Sequence, residues 1–205
     1  MINHIKLDED HIVKETLQRM AQIAEFHHPG IQAHLERIRG YALILSENIG
    51  LSLEEAVQIS IASMLHDIGM VGIPDAVIAK TGELSHDEWE LVKQHPIIGA
   101  EILGNIAHPI LQIGEMVALT HHERWDGSGY PRGLKGEDIP LGGRICGLAD
   151  VFDAITSDRP YRDRVPVETA LELIKESSGL FFDPQLVEVF ERKFDEILKV
   201  RSENI

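Results

Sequence analysis

Residues 51–69 read LSLEEAVQISIASMLHDIG, and how this stretch starts and stops decides the fold. Ser52 followed three residues later by Glu55 forms a capping box, in which a hydroxyl and a carboxylate satisfy backbone N–H groups that a helix start leaves without partners. The predicted helix runs to about His66, where an apolar segment stops abruptly on a histidine and an aspartate before Gly69. The same grammar recurs on both sides. Upstream, Val13, Leu17, Met20 and Ala24 form one helical stripe within Asp10 to Phe26, and a second helix is expected from about Ile31 to Asn48, ending at Gly50. Downstream, Ser85 with Glu88 repeats the box before a helix leading to His95. Pro109 opens a helix to His121, and Pro140 precedes one carrying Cys146, Asp150 and Ala154. Pro166 and Gly179 bracket another, and Asp183-Pro184 caps the last, to about Val200. No stretch combines period-two alternation with β-branched or aromatic enrichment. The expected fold class is all-α, a compact multi-helix bundle with one long irregular stretch, Glu123 to Ile139, rich in glycine.

Composition narrows the function. At 205 residues and 43% hydrophobic content, one domain with one substantial core is expected. No apolar run is long enough to span a bilayer, and Met1 to Asp10 lacks the apolar stretch of a signal peptide, so the expectation is a cytoplasmic protein with no membrane contact. The single cysteine, Cys146, excludes an internal disulfide and a cysteine-based zinc site, which leaves His, Asp and Glu to hold any metal. A net charge of −15 argues against a nucleic-acid polymer as partner, since such binding needs many Lys and Arg contacts to phosphates. A small phosphorylated ligand needs positive charge only locally, and metal ions supply it.

The histidines fall at informative places. His66-Asp67 closes one apolar helix, His121-His122 closes another, and Asp150 sits inside the apolar segment from Ile145 to Ile155. Carboxylates in such surroundings need an ion pair, a hydrogen-bond network or a metal. Isolated histidines such as His4, His11, His27, His28, His86 and His108 read as capping or surface residues. Two adjacent donor pairs with a core aspartate read as a metal site.

These motifs resemble the HD-GYP subgroup of the HD-domain metallohydrolases. His66-Asp67-Ile68-Gly69 matches the HD pair, and residues 121–131, HHERWDGSGYP, match the second signature with its Gly-Tyr-Pro triplet. Residues 72–75 (GIPD), His95-Pro96 with Gly99-Ala100, and residues 150–162 (DVFDAITSDRPYR) agree as well. The resemblance covers about Ile31 to Phe190, which divides the chain into an N-terminal helical segment, 1–29, and an HD-GYP domain, 30–200.

The resemblance implies two divalent ions, iron or manganese, held by His34, His66, Asp67, His95, His121, His122 and Asp150. Asp67 would bridge, with His34, His66 and Asp150 on one ion and His95, His121 and His122 on the other. Mixed imidazole and carboxylate ligation suits first-row metals rather than an all-oxygen calcium or magnesium cage. It implies hydrolysis of cyclic di-GMP to the linear dinucleotide and onward to GMP in some members, with Asp67 and His66 at the catalytic centre. Tyr130, Asp153, Arg159 and Arg162 fall on its ligand-contacting positions. The chain departs from the pattern at Met70, where many members have a phosphate-contacting lysine, and at Gly30, where some carry a glutamate that helps hold a third ion. Two metals rather than three are therefore expected. Rival readings are a catalytically weak cyclic-dinucleotide receptor and an HD phosphohydrolase acting on another nucleotide. A homodimer or a signalling partner is compatible with the apolar stripe of the first helix.

Overall fold

The computed structural model describes residues 2–26, 30–158 and 164–204, with side chains from residue 12 onward. In chain order the helices are α1 (Ile2–Ala24), α2 (Ile31–Asn48), α3 (Leu53–Ser63), α4 (Asp75–Ile78), α5 (His86–Val92) and α6 (His95–Leu103). They continue with α7 (Pro109–Thr120), α8 (Leu141–Thr156), α9 (Val167–Glu176), α10 (Pro184–Arg192) and α11 (Phe194–Glu203). Short 3-10 turns at Ile68–Gly72 and Gly136–Asp138 complete the pattern, and the described residues hold no strand beyond an isolated bridge between Ser178 and Phe182. The fold is all-α.

Both capping boxes form: Glu55 and Glu88 reach back to the N–H of Ser52 and Ser85 at 2.9 and 2.6 Å, and each serine hydroxyl accepts from the glutamate's own N–H. Two boundaries differ from expectation. The first helix begins at Ile2 rather than Asp10, because apolar periodicity marks where a stripe begins, not where backbone hydrogen bonding begins. The last predicted helix is two, broken at Lys193 (φ −106°, ψ 15°). Leu186, Phe190, Phe194 and Ile197 keep helical spacing across that break, and no Gly or Pro marks it.

Two apolar clusters position the site. The larger joins α2, α8, α9, α10 and α11 through Ile38, Tyr41, Leu45, Leu148, Phe152, Ala170, Ile174, Leu186, Phe190 and Ile197. Phe152 sits edge-on to Tyr41 at 5.4 Å and to Phe190 at 5.0 Å, each ring adding directional contact to its burial. The smaller cluster gathers Leu17, Ala21 and Ala24 of α1 with Leu35, Ile61, Met64, Leu65 and Leu103. Residue 30 is thus a turn between helices that share one core. The 3-10 turn after His66-Asp67 lies so close to α6 that a Cβ at Gly69 would overlap the His95 carbonyl oxygen and the Gly99 nitrogen. Only glycine lets those two elements, each carrying a candidate ligand, approach this closely.

Candidate metal centre

The ends of four helices meet between these clusters. His34 lies in the first turn of α2, His66-Asp67 follows α3, His95 opens α6, and His121-His122 closes α7, while Asp150 projects from the middle of α8. Two groups of potential ligand atoms result, each within 4.8 Å of one another: Asp67, His95, His121 and His122 in one, and Glu25, His34 and His66 in the other.

Asp67 stands between the groups. Its Oδ1 lies 3.1 Å from His95 Nε2 and 3.3 Å from His121 Nε2, and its Oδ2 lies 3.5 Å from His66 Nε2. Asp150 Oδ1 is 3.8 Å from the same His66 nitrogen. The rings are aimed from behind: Nδ1 of His66, His95 and His121 donates to the carbonyls of Ser63 (2.9 Å), Val92 (2.6 Å) and Ala118 (3.0 Å). That fixes the tautomer and leaves Nε2 free to ligate a metal. His34 Nδ1 is tied instead to Asp153 Oδ2 at 2.8 Å, and Arg37 grips the same carboxylate with Nε at 2.6 Å and Nη2 at 2.8 Å.

The donor set fits a metal. His66 Nε2 and Asp67 Oδ1 are buried without a hydrogen-bond partner, and His95 Nε2 sits 3.4 Å from His121 Nε2. Buried polar atoms as a rule find partners, and metal cations among these four would supply them. The local charges agree. Burial works to lower His66, but the negative charges of Asp67, Asp150 and Glu25 outweigh it and raise it to about 9. Burial works to raise Asp67, but the His66 charge and the close approach of His121 and His95 hold it well below the usual carboxylate range. His122 is driven well below the usual imidazole range, first by burial and then by His121. Burial, reinforced by Asp67, pushes Glu25 up to about 7.

Tyr130 stacks on His122 with ring centres 4.7 Å apart at 27°, at the mouth of the centre. The loop that carries it is clamped by Glu123, whose carboxylate accepts from the N–H groups of Arg132 (2.7 Å) and Leu134 (3.0 Å). Behind it lies a cavity of about 220 Å³, bordered by His121, His122, Arg124, Arg144 and Phe181.

Two sequence-predicted contacts are placed differently from expectation. Asp153, expected at a guanine edge, is 1% exposed and committed to Arg37 and His34. It lies behind the His34 ring and does not line the cavity. Met70, expected near a phosphate, lies in the 3-10 turn and lines a groove with Ile23, Ala24 and Phe26 of the first helical segment and with Asp75 and Ile78. Arg159 and Arg162 lie outside the described residues. Sequence reasoning missed Glu25, because nothing in its spacing distinguishes it from a solvated glutamate at a helix end. It missed Glu123 for the same reason, although Glu123 adjoins the histidine pair.

A family model described as "HD domain" matches residues 18–186. Among curated relatives, the chain is 45% identical over 179 residues to the "Cyclic di-GMP phosphodiesterase response regulator RpfG" of Xanthomonas campestris pv. campestris, covering 87% of this chain and 47% of the relative. It is 40% identical over 189 residues to the "3'3'-cGAMP-specific phosphodiesterase 2" of Vibrio cholerae, covering 92% of this chain and 36% of the relative. The chain thus spans half or less of these relatives' length. Among solved structures, a cyclic GMP-AMP specific phosphodiesterase of V. cholerae matches with a TM-score of 0.65 at 24% identity, over 91% of this chain and 49% of that one. At that identity the likeness is one of fold.

Proposed function

Because the chain belongs to the HD domain family, we propose that it is a metal-dependent phosphodiesterase acting on a cyclic dinucleotide, with cyclic di-GMP as its leading substrate. The observation that carries this reading is Asp67, whose two oxygens face different histidines, 3.1 Å from His95 and 3.5 Å from His66. In this reading His95, His121, His122 and Asp67 hold one ion, while His34, His66, Asp150 and Asp67 hold another, iron or manganese. Bound ions of this kind make water nucleophilic near neutral pH and offset the charge on phosphoryl oxygens. The chain's own residues do the rest. Backbone carbonyls and Asp153 hold the imidazoles through Nδ1 and so orient Nε2, Tyr130 stacks on His122, and Glu123 holds the Gly-Tyr-Pro loop in place. In this reading Arg159 and Arg162 supply phosphate-directed positive charge to an otherwise acidic chain.

The relatives named for cyclic di-GMP and for 3'3'-cGAMP support a cyclic dinucleotide and leave two candidate bases at one position. Anaerobically purified protein, reloaded with Mn²⁺ or Fe²⁺ and offered both dinucleotides, is expected to release the linear product of cyclic di-GMP faster. Metal and ligand binding without turnover would favour the receptor reading.

A further inference from the structure

We infer that Glu25, on the turn that ends α1, is a ligand of the ion held by His34 and His66, so that metal binding and the docking of α1 form one equilibrium. The inference rests on the histidine centre being a metal site. Ligand atoms of Glu25, His34 and His66 all lie within 4.8 Å of one another, so a small side-chain rotation brings them within the separation of about 4.2 Å or less that metal bonds near 2.1 Å require.

The placement of Glu25 is built rather than incidental. Leu17, Ala21 and Ala24 anchor the last turns of α1 in the smaller core cluster. Gln18 Nε2 donates to Glu36 Oε1 at 2.9 Å, tying α1 to α2, and the Glu25 N–H donates to the Ala21 carbonyl at 3.1 Å. These contacts fix the register that delivers the carboxylate to the rings. Independently, His66 is fully buried with its Nε2 unpartnered at the same point. Asp67 and Asp150 already approach that nitrogen at 3.5 and 3.8 Å. A third carboxylate directed there is repelled by the other two unless a cation sits among them. Gly30, which opens α2 at φ 77°, puts no side chain in the way, and the space around it is open.

The ion therefore tightens the end of α1 onto the centre, and without it the Glu25 carboxylate meets the opposing charges of Asp67 and Asp150. The test uses the whole chain, Mn²⁺ as the probe, and amide hydrogen exchange of residues 17–26 alongside Mn²⁺ titration. In the wild type, Mn²⁺ is expected to slow exchange in that segment. Glu25→Gln is expected to weaken one Mn²⁺ equivalent by about tenfold or more and to abolish the protection of α1. Glu25→Asp, which keeps the charge one methylene short, is expected to fall between them, and it serves as the reference if the amide variant folds poorly. Glu25→Gln with wild-type Mn²⁺ affinity and intact metal-dependent protection would overturn the inference and leave the centre standing. A wild-type chain that binds no Mn²⁺ would overturn both.

Discussion

His34 on α2 and Asp153 on α8 are 119 residues apart in sequence and 2.8 Å apart in space, joined Nδ1 to Oδ2. Arg37, one turn after His34, holds the other edge of the same carboxylate. A carboxylate behind a ligating imidazole orients the ring and raises its basicity. Asp153→Asn keeps the shape and removes the charge, which leaves the Arg37 guanidinium buried without a counter-ion. The expected cost is about 3 kcal/mol in denaturant unfolding, with metal affinity on the His34 side falling by about ten- to a hundredfold. Equal stability and equal Mn²⁺ affinity in the two proteins would place Asp153 in another role.

The same network sets an acid limit on stability. Burial works to raise the Asp153 carboxyl, but hydrogen bonds from Arg37 and His34 hold it far below the usual range. A folded-state pKa depressed in this way contributes stability that is fully present above the unfolded value of about 3.9 and fades as pH falls toward the folded value. Metal-free wild type should lose stability through this window more steeply than Asp153→Asn. Melting curves from pH 6 downward check it, and parallel slopes would contradict it.

Asp67→Ala is expected to empty both metal positions, because two cations held close together need the shared anion between them. His95→Ala removes a ligand from one group only. Elemental analysis should therefore give about two equivalents for wild type, about one for His95→Ala and near none for Asp67→Ala. Retention of both ions by Asp67→Ala would exclude a bridging carboxylate.

The legible part of this protein was whatever has a local signature. Ser52 with Glu55, Ser85 with Glu88, and Pro109 announce helix starts, because capping is a short-range hydrogen-bond problem, and the structure forms each of them. His66-Asp67 and His121-His122 stand out because polar residues interrupt apolar segments. The break at Lys193 was not legible, since the apolar spacing runs through it. Nor was the role of Asp153, whose partners come from α2 and whose burial depends on tertiary packing. Glu25 is the clearest case: its nearest candidate co-ligands, His34 and His66, lie on other elements.

Glu123 predicts how the Gly-Tyr-Pro loop is kept closed. It accepts two backbone N–H bonds, from Arg132 and Leu134, at 2.7 and 3.0 Å. In Glu123→Gln one of the two oxygens becomes an NH₂ group facing a donor, and a buried donor left unmet costs about 1–3 kcal/mol. The loss should appear as faster amide exchange at residues 132 and 134, with global unfolding little changed. Unaltered exchange there would mean the clamp is redundant with the backbone bonds from Trp125 and Asp126 to Phe181 and Leu180.

Met70→Lys tests whether residue 70 belongs to the substrate. A thioether donates no hydrogen bond, whereas a lysine brings a point charge and three donors, so a phosphate beside residue 70 would gain about 1.5–3 kcal/mol of binding. Met70 lines a groove with Ile23, Ala24, Phe26 and Asp75. There a lysine can lay its methylenes along the apolar wall and carry its ammonium outward, so the stability cost is expected to stay below about 1 kcal/mol. With the ammonium directed away from the cavity bordered by His121 and His122, cyclic di-GMP affinity should change less than about threefold. Calorimetric titration and melting curves on both proteins read the two quantities separately. A gain of about tenfold or more that shrinks with added salt would return residue 70 to the phosphate and mean that α1 yields when substrate binds.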